Sequence, residues 1–442
     1  MQETLSHYFG YDTFRPGQEE IISKIIDHRN VLGVLPTGGG KSICYQVPGL
    51  MLGGTTIVIS PLISLMKDQV DQLKAMGINA AYINSSLTQK QQKEIEQDLI
   101  SGHIQFLYVA PERFENQYFL SQLRKVNIRL VAFDEAHCIS KWGHDFRPSY
   151  QNVIQKVFTL PQDFAIVALT ATATAEVQQD IMAKLNIDAN DEVKTSTKRR
   201  NLIFKVNPTY QRQKFVVDYV TEHNEEAGII YCSTRKQVEE LQEVLESHKV
   251  KCTIYHAGLT NKEREAAQND FLYDRVNVVI ATNAFGMGID KSNVRFVIHY
   301  NMPGDLESYY QEAGRAGRDG LKSECILLFS ERDRGLHEYF ISVSQADDDY
   351  KEKMGEKLTK MLQYTKTKKC LEATIVHYFE PNEKLEECKQ CSNCIQENKT
   401  YDMTREAKMI ISCVARMRQQ ESYSVIIQVL RGETTCLLYT SD

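Results

Sequence analysis

The sequence predicts an α/β protein of two parallel-sheet lobes followed by a helical segment. Three observations predict it. Short apolar runs alternate with amphipathic stretches through the first half of the 442 residues, the alternation recurs in the second half, and the strand signal stops after Phe329. Such alternation implies parallel sheets covered on both faces. The chain is too long for one hydrophobic core, so two to four domains are expected. A content of 42% hydrophobic and 25% charged residues excludes a mainly disordered chain, a collagen or a coiled-coil rod. No stretch approaches the ~20 apolar residues of a membrane helix. Met1 to Phe9 lacks a basic flank and an apolar run, so no secretory signal is expected.

The elements follow in order. Val31–Leu35, Thr56–Ser60, Gln105–Ala110, Leu130–Phe133 and Ala165–Leu169 read as buried strands, with helices at Leu62–Met76, Gln89–Ile100 and Ala175–Leu185. Asp188–Lys198 is polar and aperiodic, which suits a linker. In the second half Gly228–Tyr231, Thr253–Tyr255, Asn277–Ala281, Phe296–His299 and Cys325–Phe329 read as strands. Lys236–Ser247, Lys262–Phe271 and Leu306–Ala316 read as helices. Asp347–Tyr378 is charged and helical, and Thr404–Leu430 reads as helix, turn, helix. Boundaries are expected at 1–200, 201–335, 336–400 and 401–442.

A net charge of −6 does not advertise nucleic-acid binding and does not exclude it, because a basic footprint can be local. Lys198-Arg199-Arg200 is one basic cluster, and Lys351–Lys369 holds seven lysines against two glutamates. Taken alone, such runs read as solvated surface. The 11 cysteines are expected to be reduced thiols. Seven are scattered, and Cys370, Cys388, Cys391 and Cys394 look like a set.

Leu35-Pro36-Thr37-Gly38-Gly39-Gly40-Lys41-Ser42 follows a strand and opens a helix. Glycines let backbone N–H groups turn around phosphate oxygens, and the helix N-terminus adds a positive dipole. Lys41 would reach the β- and γ-phosphates of ATP, and Ser42 would hold Mg²⁺. The strict pattern asks for glycine where Leu35 stands, and the three glycines at 38–40 could supply the turn. The competing reading is a glycine-rich loop before a chance Gly-Lys-Ser.

A second strand ends in Asp134-Glu135-Ala136-His137. Asp134 can hold the phosphate-bound Mg²⁺, and Glu135 can orient or deprotonate the attacking water. Alone, an Asp-Glu pair is usually surface charge. In Gln311-Glu312-Ala313-Gly314-Arg315-Ala316-Gly317-Arg318, two arginines three apart are expected on one helix face. An arginine reaching across from another domain stabilises a transferring phosphoryl group. The alternative is a salt-bridged surface helix. Ser140–Pro148 gathers Trp142, His144, Phe146 and Arg147 just after the carboxylates, with planes that can stack on unpaired bases. The competing reading makes the aromatics core residues.

Cys388, Cys391 and Cys394 form a Cys-x2-Cys-x2-Cys run, with 17 residues between Cys370 and the first of them. Two-residue spacers let a turn present thiolates to one tetrahedral Zn²⁺. Lys366, Lys368 and Lys369 are expected to help hold those thiolates ionised. Unrelated thiols or disulfides are the alternatives.

With these motifs in view, the chain resembles RecQ-family DNA helicases of bacterial type from about Phe9 to Leu430. The resemblance is carried by Phe14–Gln18, Ser60–Gln69, Asp134–Pro148, Leu169–Ala173, Tyr231–Arg235, Ala281–Lys291 and Gln311–Gly320. It implies two RecA-like lobes, a helical zinc-binding segment and the start of a winged-helix domain. It also implies ATP-dependent unwinding of duplex DNA with 3′-to-5′ movement on single-stranded DNA, in repair and recombination, in the cytoplasm or at a nucleoid. By resemblance Gln18 reads adenine, Arg15 shapes that pocket, and Trp142, His144, Phe146 and Arg147 couple DNA contact to hydrolysis. Thr170 and Thr172 are placed to link the lobes, and His137 to sense the carboxylates.

Two other readings stay open: an RNA helicase of the DEAH-box type, and a binding module with a decayed motor. The chain stops about one helical pair into the expected winged helix. Thr435–Asp442 does not resemble the family, and reads as a truncation or a cloning or assembly artefact.

Overall fold

In a computed structural model the described residues are 1–61, 63–84, 87–143, 146–285, 291–384, 386–395, 404–418 and 422–432. His144, the segment Gly286–Asp290 and the atypical tail lie outside them. Residues 1–395 form one compact unit and 396–442 another.

Among the described residues, seven strands form the first sheet: β1 (Val31–Val34), β2 (Thr55–Ile59), β3 (Ala80–Ile83), β4 (Phe106–Val109), β5 (Ile128–Phe133), β6 (Ala165–Thr170) and β7 (Glu192–Lys194). They run in the order β3-β4-β2-β5-β6-β1-β7, and all their pairings are parallel. β1, β2, β4 and β6 are buried along their whole length. Continuous apolar runs are what a strand covered on both faces requires.

Two expectations need correction here. The edge strand β3 has no counterpart among the expected strands, because Ala80-Ala81 is a weak strand former. The supposed linker Asp188–Lys198 contains β7, which pairs with β1 through Leu32, Gly33 and Val34. A three-residue edge strand of alternating polarity carries too little apolar signal to be read.

The second sheet holds β8 (Leu202–Pro208), β9 (Ala227–Tyr231), β10 (Cys252–Tyr255), β11 (Val278–Ala281), β12 (Val294–His299) and β13 (Ser323–Phe329), in the order β10-β11-β9-β12-β13-β8. Again all pairings are parallel. β8 was not among the expected strands; it is an edge strand whose burial alternates along its first residues.

Helix α1 (Leu306–Ala313) precedes β13. After the sheet come α2 (Glu331–Val343), α3 (Asp348–Lys366) and α4 (Leu371–Phe379). Leu358, Met361 and Tyr364 of α3 and Leu371, Ile375 and Phe379 of α4 share one buried core with β9, β12 and β13. The cysteine-bearing segment is therefore packed into the second lobe. The second unit contains α5 (Thr404–Arg416) and α6 (Tyr423–Leu430), matching the two expected helices; residues 419–421 of the expected turn lie outside the described residues. No helix among the described residues is long and apolar enough to cross a membrane.

Candidate nucleotide and nucleic-acid site

The loop after β1 takes the shape that its glycines permit. Gly38 and Gly40 have φ of +81° and +74°, in the left-handed region that side chains resist. Leu35, where the strict pattern has glycine, is a core residue 1% exposed, so the turn starts later in the loop. The following helix begins at Ile43 and keeps Ser42 at its N-cap. Gln18 is buried and donates to the carbonyls of Gly39 (3.2 Å) and Gly40 (2.9 Å), while its Oε1 accepts from Arg15 N–H. Arg15 Nη1 donates to Gly38 O. These two residues thus brace the loop, and the Gln18 amide is turned onto it. The buried Thr37 hydroxyl has no partner among the described residues, and it lies in the cleft beside Lys41. Such a donor-rich cradle fits a polyphosphate.

β5 delivers the two carboxylates at its C-terminal end. Asp134 is buried; desolvation, then the charge of Glu135, push its carboxyl up to about 7 against the pull of Lys41. Buried carboxylates beside a lysine and a serine fit a divalent cation, which would stabilise their ionised form. Glu135 sits at φ +48°, a strained conformation for this residue type, and its N–H donates to Asp134 Oδ1 at 3.0 Å. Glu135 Oε2 lies 3.4 Å from His137 Nδ1, which is 3.1 Å from Thr170 Oγ1; Thr170 in turn donates to Thr172 O at 3.2 Å. The buried His137 ring therefore lies between the Glu135 carboxylate and the loop after β6.

The second lobe brings its arginines to the same cleft, with one correction. α1 ends at Ala313, so Arg315 and Arg318 lie in the turns beyond it and not on a helix face. Gly314 lets this segment approach the phosphate loop: a Cβ there would stand 3.1 Å from Thr37 Cβ. Arg318 Cγ would be 3.5 Å from a Cβ at Gly38. Arg15, Gln18, Thr37, Gly38, Gly40, Lys41, Ser42, Asp134, Glu135, Gln311, Arg315 and Arg318 all line one cleft of about 440 Å³.

Arg199 escaped the sequence reading, where it was only part of a basic cluster. Its guanidinium donates to Thr37 O (2.7 Å) and Gly314 O (3.4 Å) through Nη1, and to Ala316 O (3.1 Å) and Gly317 O (2.9 Å) through Nη2. The planar fork thus clasps the phosphate loop to the arginine segment. Four main-chain carbonyls leave no signature in a sequence.

Of the aromatic loop, Trp142, Phe146 and Arg147 are described and all three are half-buried. Trp142 packs against the first-lobe core, with Lys141 Nζ and Lys353 Nζ at 5.4 and 5.8 Å from its ring centroid. Arg147 Nη1 donates to Pro61 O at 3.3 Å.

The sulfur atoms of Cys370, Cys388, Cys391 and Cys394 lie within 4.8 Å of one another, and all four are free thiols. Two of the separations are 3.9 and 4.0 Å. A tetrahedral ion with ~2.3 Å bonds needs sulfur separations of about 3.8 Å, so the set fits zinc. The lysine expectation is corrected for Lys366, which pairs with Glu331 at 2.7 Å. Burial raises the Cys391 thiol, but the N–H groups of Leu371 and Cys394 bring it below its ordinary value. Cys391→Ser is expected to remove the ion and loosen α4 from the second lobe. Elemental analysis of the wild-type protein should find one zinc per chain, and the variant should melt several degrees lower. Equal stability without metal would refute the site.

Family models match almost end to end. Residues 15–181 match DEAD/DEAH box helicase, 211–320 helicase conserved C-terminal domain, 331–395 RecQ zinc-binding, and 397–437 RQC domain. The ATP-dependent DNA helicase RecQ of Bacillus subtilis is 48% identical, with 98% of this chain and 73% of that protein covered. Its Haemophilus influenzae counterpart is 41% identical, at 97% and 69% coverage. A putative ATP-dependent RNA helicase of Acanthamoeba polyphaga mimivirus is 37% identical, at 98% and 80%. Among solved structures, Saccharomyces cerevisiae Dbp5 bound to RNA and ADP BeF3 superposes with a TM-score of 0.63 at 19% identity, covering 82% of this chain and 97% of that one. That likeness speaks to the fold.

Proposed function

The chain belongs to the RecQ family of helicases, and from that premise we propose that it is a DNA-stimulated ATPase that moves 3′ to 5′ on single-stranded DNA and unwinds duplex DNA. Its place is DNA repair and recombination, acting on DNA in the cytoplasm. We assign 1–200 and 201–335 to the two motor lobes, 336–400 to the zinc-binding segment and 401–442 to the start of a winged-helix domain.

One observation carries the reading. Lys41, Ser42, Asp134 and Glu135 from the first lobe share a single cleft with Gln311, Arg315 and Arg318 from the second. A phosphoryl transfer needs positioned charge on both sides of the transferring group, so such a cleft is active only when the lobes are together. Lys41 offsets charge on the β- and γ-phosphates. Ser42 and Asp134 would hold Mg²⁺, which supplies further charge neutralisation when bound. Glu135 orients the attacking water and accepts its proton, and Arg318 meets the charge that builds on the γ-phosphoryl oxygens. Arg15 and Gln18 serve the base side; Gln18 must release the loop carbonyls to offer its amide to adenine. Trp142, His144, Phe146 and Arg147 report DNA contact to the carboxylates that precede them in the chain.

The test is ATPase activity of the purified chain with and without single-stranded DNA. Stimulation by DNA is expected. Lys41→Ala is expected to lose at least ~10²-fold in rate, because alanine cannot offset phosphate charge. A variant retaining most of its rate would remove the phosphate-loop assignment.

A further inference from the structure

A buried ion pair joins three parts of the chain that are far apart in sequence. Lys357, on α3, has its ammonium 3.0 Å from Glu307 Oε1 on α1, and both side chains are at most 5% exposed. The same ammonium donates to Trp142 O in the first-lobe aromatic loop at 2.9 Å. One helical turn away, Lys353 pairs with Glu176 of the first lobe at 2.9 Å and sits over the Trp142 ring. Lys141, beside Trp142, pairs with Asp347 at the start of α3, also at 2.9 Å. The tryptophan loop is thus held on α3 by its main chain and by its neighbours.

A buried pair of this kind is poor evidence of a stabilising role. Desolvating two charges costs about what their attraction returns, and an apolar pair of equal volume often holds a fold as well. What an apolar pair cannot do is donate to Trp142 O. The ammonium fixes the loop through its backbone and so leaves the indole face to the lysines, or to a base that displaces them. Its carboxylate partner stands on α1, the helix that runs directly into Gly314, Arg315 and Arg318.

We propose that Lys357 is a positioning residue that couples single-stranded nucleic acid at the Trp142 loop to the arginine segment of the second lobe, through Glu307 and α1. This inference rests on the reading of the Trp142 loop as the nucleic-acid contact.

The experiment uses the full chain and compares wild type, Trp142→Ala, and the double variant Lys357→Met with Glu307→Leu. Removing both charges avoids stranding one of them in the interior. The readouts are zinc content, basal ATPase, ATPase against oligo(dT) concentration, and oligo(dT) binding by fluorescence anisotropy. The double variant is expected to keep its zinc, its basal rate and its oligo(dT) affinity, while the maximal stimulated rate falls about fivefold or more, within the range of coupling through packed networks. Full stimulation in the double variant overturns the inference, and so does loss of its zinc or basal rate, which would make the pair purely structural. If Trp142→Ala keeps full stimulation, the reading of the loop itself fails. If Trp142→Ala loses stimulation while the double variant keeps it, the loop stands and only the Lys357 joint falls.

Discussion

Replacing Arg318 by alanine is expected to slow ATP hydrolysis by about 10³-fold or more, with little change in nucleotide affinity. The asymmetry follows from where charge appears. In the proposed ground state Lys41 and the phosphate loop would already meet the phosphates. As the γ-phosphoryl group transfers, charge spreads over oxygens facing the second lobe, and a guanidinium there is worth most in the transition state. Arg318 is the better placed of the two arginines: it is half-buried and packs beside Gly38. Arg315 is 5% exposed and is engaged by Tyr231: burial raises that phenol, and the charge and hydrogen bond of Arg315, ahead of the charge of Arg318, pull it back down. Arg315 is accordingly a supporting contact. Steady-state ATPase and fluorescent-nucleotide titration separate the two effects. Equal losses of affinity and rate would mean uniform phosphate binding instead of transition-state stabilisation.

Glu135→Gln is expected to bind ATP normally and hydrolyse it on the order of 10²- to 10⁴-fold more slowly. Glutamine preserves size and the left-handed backbone is unchanged, but the amide cannot accept a proton from water. The variant should trap nucleotide, which a filter-binding measurement with single-turnover kinetics would register. Undiminished turnover would take Glu135 out of the chemistry.

How much of this was legible in the residues varies with the kind of interaction. Buried strands such as β2 and β6 could be read because both faces are covered and their apolar runs are unbroken. β3, β7 and β8 were missed because edge strands need no such run. Lys41, Asp134 and Arg318 could be singled out as candidates because phosphate chemistry restricts residue type and spacing, and all three line one cleft. Their convergence is a property of the fold, since two strand ends and a turn beyond α1 must meet across two lobes. The turn itself shows the limit: a three-residue spacing suggested a helix face, yet α1 stops at Ala313, and the close approach to Thr37 at Gly314 leaves little room for a side chain there. Arg199 could not have been assigned from sequence, since it acts on main-chain carbonyls, which every residue offers; nor could the contacts of Lys357, whose partners are one such carbonyl and a carboxylate far away in sequence. The cysteine set was legible as a ligand set, but the largest influences that lower the Cys391 thiol are backbone N–H donors, which no sequence pattern marks.

Strand displacement on tailed duplexes tests the central claim most directly. The account predicts that the chain, with ATP and Mg²⁺, separates a DNA duplex bearing a 3′ single-stranded tail, and that the Lys41→Ala chain does not. Separation confined to 5′-tailed DNA, or displacement of an RNA duplex in preference to the matching DNA, would contradict it.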